Sequence, residues 1–207
     1  MLVANTRAEN MARKKSGKLA ARTFRSRADD VSVFARAVAT SGLSKQHVSW
    51  SIDFAIIRLY RDFENLMLEA LVAAVNNDTT TISACTGRSF PKHLTDEVCE
   101  YLIVGSGYFD FKGRDGLVKV IRQYVPESHY LVGVVKKPKY KGPLEQLSAL
   151  RNFAAHGSTA AKSAAMSAVG AQRLASAGAW LKVSGRLDGI IDALKKLADD
   201  IEAVAPY

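Results

Sequence analysis

Leu150-Arg151-Asn152-Phe153-Ala154-Ala155-His156-Gly157-Ser158 places an arginine, the asparagine beside it and a histidine within a turn and a half of helix, directly before a glycine. At ~100° per residue Asn152 and His156 stack on one face, and Arg151 starts one position to the side on a side chain long enough to curl back. All three can therefore address one phosphate. Glycine is the usual residue just past a helix terminus, so the helix is expected to end at Gly157, with Ser158-Thr159 capping the next one. His156 then falls in the last turn, where the negative end of the helix dipole favours a cation.

Those residue types specify a chemistry. Arginine is a permanent cation whose planar fork of donors suits phosphate, and histidine is the side chain that gives or takes a proton near neutral pH. Together they form the minimum set for cutting RNA without a metal. Upstream on the same helix, Leu144, Leu147, Leu150 and Ala154 are expected to face a core, while Ser148, Arg151, Asn152 and His156 face outward.

Around this segment the pattern is helical. From Ser51 to Val75, Ile56, Tyr60, Phe63, Met67 and Leu71 recur at spacings of three and four, with Ile57, Leu66 and Leu68 widening the stripe. Asn76-Asn77-Asp78 ends that helix. Leu94–Val104 and Asp115–Val125 are predicted as further core helices, and a terminal helix from about Val183 to Val204 repeats Leu187, Ile190, Leu194, Leu197 and Ile201. Residues 79–93 are polar and turn-rich. The β-branched run Tyr130–Val135 suggests a short extended segment. Gly105-Ser106-Gly107-Tyr108-Phe109 lacks the Gly-Lys-Ser/Thr ending of a phosphate loop and is taken as a connection. Trp180 is expected as a core anchor.

The Arg-Asn-x-x-x-His phrase on a late helix, behind a first long helix that carries Tyr60-Arg61-Asp62-Phe63-Glu64, resembles the HEPN superfamily. The likeness covers about residues 48–205. It implies an all-α helical bundle in which Arg151, Asn152 and His156 are the motif residues and Glu64 matches the acidic position of the first core helix in a ribonuclease-like branch. It implies a metal-independent endoribonuclease with no cofactor, acting by attack of the ribose 2′-hydroxyl. It further implies a homodimer whose two motif helices share one composite cleft, a toxin or phage-defence setting, and a possible antitoxin or regulatory protein. The alternative is a HEPN-like module that binds RNA, a nucleotide or a protein without cutting.

Charge is uneven along the chain. Residues 1–28 hold eight cations against one acid, hence +7 of the formal +9, leaving the other 179 residues nearly balanced. This stretch is expected to be a flexible basic arm whose partner is a polyanion, with Arg13, Lys14, Lys15 and Lys18 as RNA contacts; the alternative is an arm packed along the core or a partner subunit. Residues 29–47 are predicted as a short helical connector capped at Asp29 or Asp30, and residues 48–207 as the bundle. Lys136, Lys137, Lys139 and Lys141, just before the motif helix, are further candidate RNA contacts.

Cys85 and Cys99, with 13 residues between them, match neither a disulfide framework nor a zinc spacing and are expected as buried or half-buried thiols in a reducing cytoplasm. His47, His93, His129 and His156 form no ligand pair at helical spacing, so no metal site is expected. No apolar run approaches the ~20 residues of a membrane span, and a cytoplasmic, membrane-free protein is the expectation.

Overall fold

The computed structural model describes residues 14–207, and among these the chain forms ten α-helices, one 3-10 turn and no strand. In chain order they are α1 (Gly17–Ala39), α2 (Lys45–Asn77), α3 (Thr79–Thr86), α4 (Asp96–Val104), α5 (Gly113–Ile121), α6 (Tyr130–Val135), α7 (Lys141–His156), α8 (Thr159–Val169), α9 (Ala177–Leu181) and α10 (Arg186–Val204). Among the described residues no helix is long and apolar enough to cross a membrane.

The 33-residue α2 is the central element, packed by α1, α4, α7 and α9. Ser44 starts it by accepting from the His47 amide, and Ile56, Tyr60, Phe63, Met67 and Leu71 are all buried, as their spacing predicts. Full burial of such side chains contributes roughly 1.5–3 kcal/mol each. The approach of α9 to α2 depends on Gly178. A Cβ there would lie 1.9 Å from the Ser49 carbonyl oxygen, and the Gly178 amide donates to Asp53 Oδ1 at 2.5 Å.

The motif helix α7 ends as its sequence predicts. Gly157 sits just past it with φ of 60°, and Ser158 caps α8 by accepting from the Ala161 amide. Leu144, Leu147, Leu150 and Phe153 fix α7 against the core. Ser148 is not outward facing: it is buried, and its hydroxyl accepts from the Gly113 amide at 3.1 Å, tying α5 to α7.

The basic stretch departs most from expectation. Residues 17–28 are not a free arm, and no helix starts at Asp29 or Asp30; both lie inside α1. Gly17, Ala20, Ala21, Phe24, Ala28 and Val31 make a buried stripe of mostly small residues along α1, which packs on α2 and α10. Phe24 meets Phe63 edge-on at 5.7 Å. The three arginines between those positions have acidic partners within the fold, Arg22 with Glu202, Arg25 with Asp199 and Glu202, and Arg27 with the buried Asp62, and just before the helix Lys15 meets Glu69 and Glu100. The rest of the expected arm, residues 1–13, lies outside the described residues.

Three smaller differences are local. Tyr130–Val135 is helical, because Leu131, Val132, Val134 and Val135 are all buried against neighbouring helices and packing overrides β-branched propensity. Residues 79–86 form α3, capped by Asp78, which accepts from the Thr80 amide. Cys85 is exposed at the end of that helix, whereas Cys99 is buried on α4.

Candidate active site at the end of the motif helix

Arg151, Asn152 and His156 line one open cleft of about 810 Å³. Its far wall is α8, where Ala160, Ala161, Ala164 and Ala168 have side chains too small to close it. Asp110 and Lys112 from the segment leading into α5, and Arg114 from the first turn of α5, also line the cleft. Arg114 also borders an adjoining cleft with Lys119, Arg122 and Lys136, so cations continue away from the motif along α5.

Arg151 is held from two sides. Its guanidinium carbon lies 4.6 Å from the centre of the Tyr60 ring, and its Nη1 donates to Asn152 Oδ1 at 2.8 Å. The Tyr60 hydroxyl is in turn 3.0 Å from both Asp110 Oδ1 and the Phe111 carbonyl oxygen, and the Tyr60 ring stacks on Phe111 at 5.2 Å. A stacked, half-buried guanidinium with fixed orientation keeps its remaining donors for an anion. His156 is exposed in the last turn of α7, one helical turn beyond Asn152. It borders the cleft from the rim.

Glu64 lies on the other side of Arg151. It follows Tyr60 by one turn of α2 and lines a separate cleft of about 440 Å³ with Arg61, Asn65 and Tyr108. Arg151 borders both clefts. Burial pushes the Glu64 carboxyl up to about 7, with the Arg151 charge opposing that rise and the Asp110 charge adding to it. Burial likewise drives the Tyr60 phenol well above its ordinary value, reinforced by Glu64 and Asp110. Tyr60 is thereby kept a neutral donor.

The other candidate contacts are dispersed. Lys14 Nζ donates to the Asn76 carbonyl at 3.1 Å, Lys15 pairs with Glu69 and Glu100, and Lys18 lies at the start of α1; none of them lines either motif cleft. Arg13 falls outside the described residues. Lys137 and Lys139 both reach Asp200 at 2.9 Å, and Lys141 approaches Glu145 at 4.0 Å. Burial pushes the Asp200 carboxyl up, but hydrogen bonds from Tyr140, Lys139 and Lys137 outweigh it and hold the group well below the usual carboxylate range. The run precedes the motif helix in sequence, yet a helix of fifteen steps separates Lys141 from His156 by roughly 22 Å. Lys136 alone connects with the motif cleft, through Arg114, whose Nη1 donates to the Lys136 carbonyl at 3.4 Å.

Asp110, Lys112 and Arg114 are site residues that sequence reasoning passed over. The signal was the alternation Phe109-Asp110-Phe111-Lys112, in which both phenylalanines are buried and the intervening polar residues are exposed. Among the described residues, no group of three or more His, Cys, Asp or Glu side chains is placed to hold a metal ion. No family model matches the chain, nor does any curated protein or solved structure.

Proposed function

We propose that this chain is a HEPN-like endoribonuclease that cleaves RNA by transesterification, with Arg151, Asn152 and His156 as its reacting set. The observation that carries this reading is the sharing of one open cleft by all three side chains, with Arg151 oriented by Tyr60 and Asn152. In the reaction the ribose 2′-oxygen attacks phosphorus as its proton passes to a base, the bond from phosphorus to the 5′-oxygen breaks, and that oxygen takes a proton from an acid. A 2′,3′-cyclic phosphate and a free 5′-hydroxyl result. His156 serves one of the two proton transfers. Arg151 hydrogen-bonds the phosphoryl oxygens as their charge grows, and Asn152 keeps Arg151 in place.

One chain brings one histidine to this cleft, whereas the reaction needs an acid and a base. A second copy facing the first across a two-fold axis supplies the other. The exposed position of His156 at the rim supports that arrangement. Lys112, Arg114 and the cations along α5 carry the RNA backbone toward the cleft.

The same Arg151–Asn152–Tyr60 packing also suits a module that binds RNA without cutting. Incubating the protein with RNA in the presence of EDTA and identifying the product ends separates the two. Cyclic phosphate ends, together with a block at any site bearing a 2′-deoxy substitution, are expected. Intact RNA, or cleavage that needs a divalent cation, would overturn the nuclease reading.

A further inference from the structure

The cleft on the Glu64 side of Arg151 has no part in the proton transfers proposed above, yet it has the composition of a recognition pocket. Its volume of about 440 Å³ lies within the range of small-ligand sites. Ile57, Leu68, Val104 and Phe109 form apolar walls, and its polar lining comprises Glu64 and Asn65 together with Arg61, Arg151 and Glu100, the last of which is paired with Lys15. At its edge stands Tyr108, 95% exposed on the loop that joins α4 to the site. An exposed tyrosine at the rim of a cleft offers a free aromatic face, with a polar tip, to a ligand entering it. Because Arg151 lines this cleft and the motif cleft alike, a phosphate held on its guanidinium leaves the adjoining nucleoside within reach of this one.

We propose that this cleft is a nucleobase subsite, in which Tyr108 stacks on the base next to the phosphate at Arg151 and the Glu64 carboxylate reads its edge, selecting guanine. The proposal rests on the RNA-cleaving reading of the adjacent cleft. An ionised carboxylate offers acceptors only, two oxygens side by side. Guanine is the base whose Watson–Crick edge presents two adjacent donors, N1–H and the 2-amino group. Adenine and cytosine each present a donor beside an acceptor, and uracil one donor between two carbonyls; each would leave a Glu64 oxygen facing an acceptor or nothing. The Tyr60 hydroxyl donates to Asp110 and the Phe111 carbonyl and also hydrogen-bonds toward the Glu64 carboxylate, which has the charges of Arg151 and Arg61 nearby. Among the described residues no cation comes within ion-pair distance of Glu64, and a carboxylate accepts several hydrogen bonds, so acceptor capacity remains for a base edge. Stacking on an exposed aromatic and hydrogen bonding along the Watson–Crick edge is the usual way an unpaired RNA base is read.

The test measures binding of the four nucleoside 3′-monophosphates to the full chain at pH 8, where Glu64 is ionised. Guanosine 3′-monophosphate is expected to bind about 10-fold or more tightly than the other three, in line with the weight of paired base contacts. Glu64→Gln should abolish that preference while retaining general nucleotide binding. Tyr108→Ala, at an exposed position that leaves the fold intact, should weaken all four by about 10-fold by removing the stacking platform. Equal affinities in the wild-type protein, or a guanine preference that survives Glu64→Gln, would overturn the subsite. Cleavage that depends on His156 but shows no base preference at the cut would overturn it too, leaving the nuclease reading in place. Glu64-dependent guanine binding with no cleavage of any RNA would support the subsite and overturn the nuclease reading alone.

Discussion

Arg151 rests on the face of Tyr60, 4.6 Å from the ring centre, while the Tyr60 hydroxyl reaches Asp110. This packing links the motif helix to the central helix and to the segment that lines the cleft before α5. It aims a cation that would otherwise sample many rotamers. Tyr60→Leu should therefore reduce RNA cleavage by roughly 10-fold or more, as a positioning defect, while Tyr60→Phe keeps the stack and removes only the hydrogen bonds of the hydroxyl. Equal activity in Tyr60→Leu and wild type would show that the stack does not orient Arg151.

Glu64 gives the fold a pH dependence of definite sign. Burial raises its carboxyl to about 7, above the ~4.3 of an unfolded chain, so the folded state holds the proton more tightly. Its stabilising contribution is complete below the unfolded value and is lost as pH rises through about 7. Denaturant melts should show stability declining between pH 5 and 8 by roughly 1–3 kcal/mol from this group, after allowance for partial solvent access. Glu64→Gln should flatten that decline. Arg151→Ala should push the carboxyl higher still, because the Arg151 charge holds it down; a carboxyl NMR titration reads this directly.

Residues 17–28 fold as part of the bundle, and the apolar stripe matters more than the charges. Phe24→Ala should cost about 3–5 kcal/mol of stability. Arg22→Ala, which removes an exposed pair with Glu202, should cost at most about 1 kcal/mol. Similar small losses from both would mean that the segment docks by charge alone.

RNA binding should follow the cleft and not the N-terminal cations. Lys112→Ala and Arg114→Ala are expected to lower affinity and to flatten the slope of log affinity against log salt, by about 0.7 for each single-strand phosphate that is no longer neutralised. Lys14→Ala and Lys18→Ala should leave the slope unchanged. The reverse pattern would move the RNA path to the start of α1.

The long-range character of these interactions explains what sequence could and could not reveal. The strict three-and-four spacing of α2 and α10, and the Gly157-Ser158 break, are local signals and survive in the fold. The α1 stripe was obscured because Ala20, Ala21 and Ala28 carry little hydrophobic weight beside the cations that surround them, and the acidic partners of those cations lie far away in the chain, as Arg22 and Glu202 do. Asp110 and Lys112 were hidden in an irregular segment whose only periodic cue is two phenylalanines. The placement of Glu64 and His156 in different clefts, both bordered by Arg151, has no sequence signature at all.

The most direct test is the single-turnover rate of RNA cleavage by His156→Ala, compared with wild type at equal folded fraction. An exposed residue at a helix end can be truncated without disturbing the core. Removal of a proton-transfer group should slow cleavage by about 10²–10⁴-fold, with melting temperature unchanged. A rate within about a factor of two of wild type, with the same cyclic phosphate ends, would contradict the assignment of His156 to the chemistry.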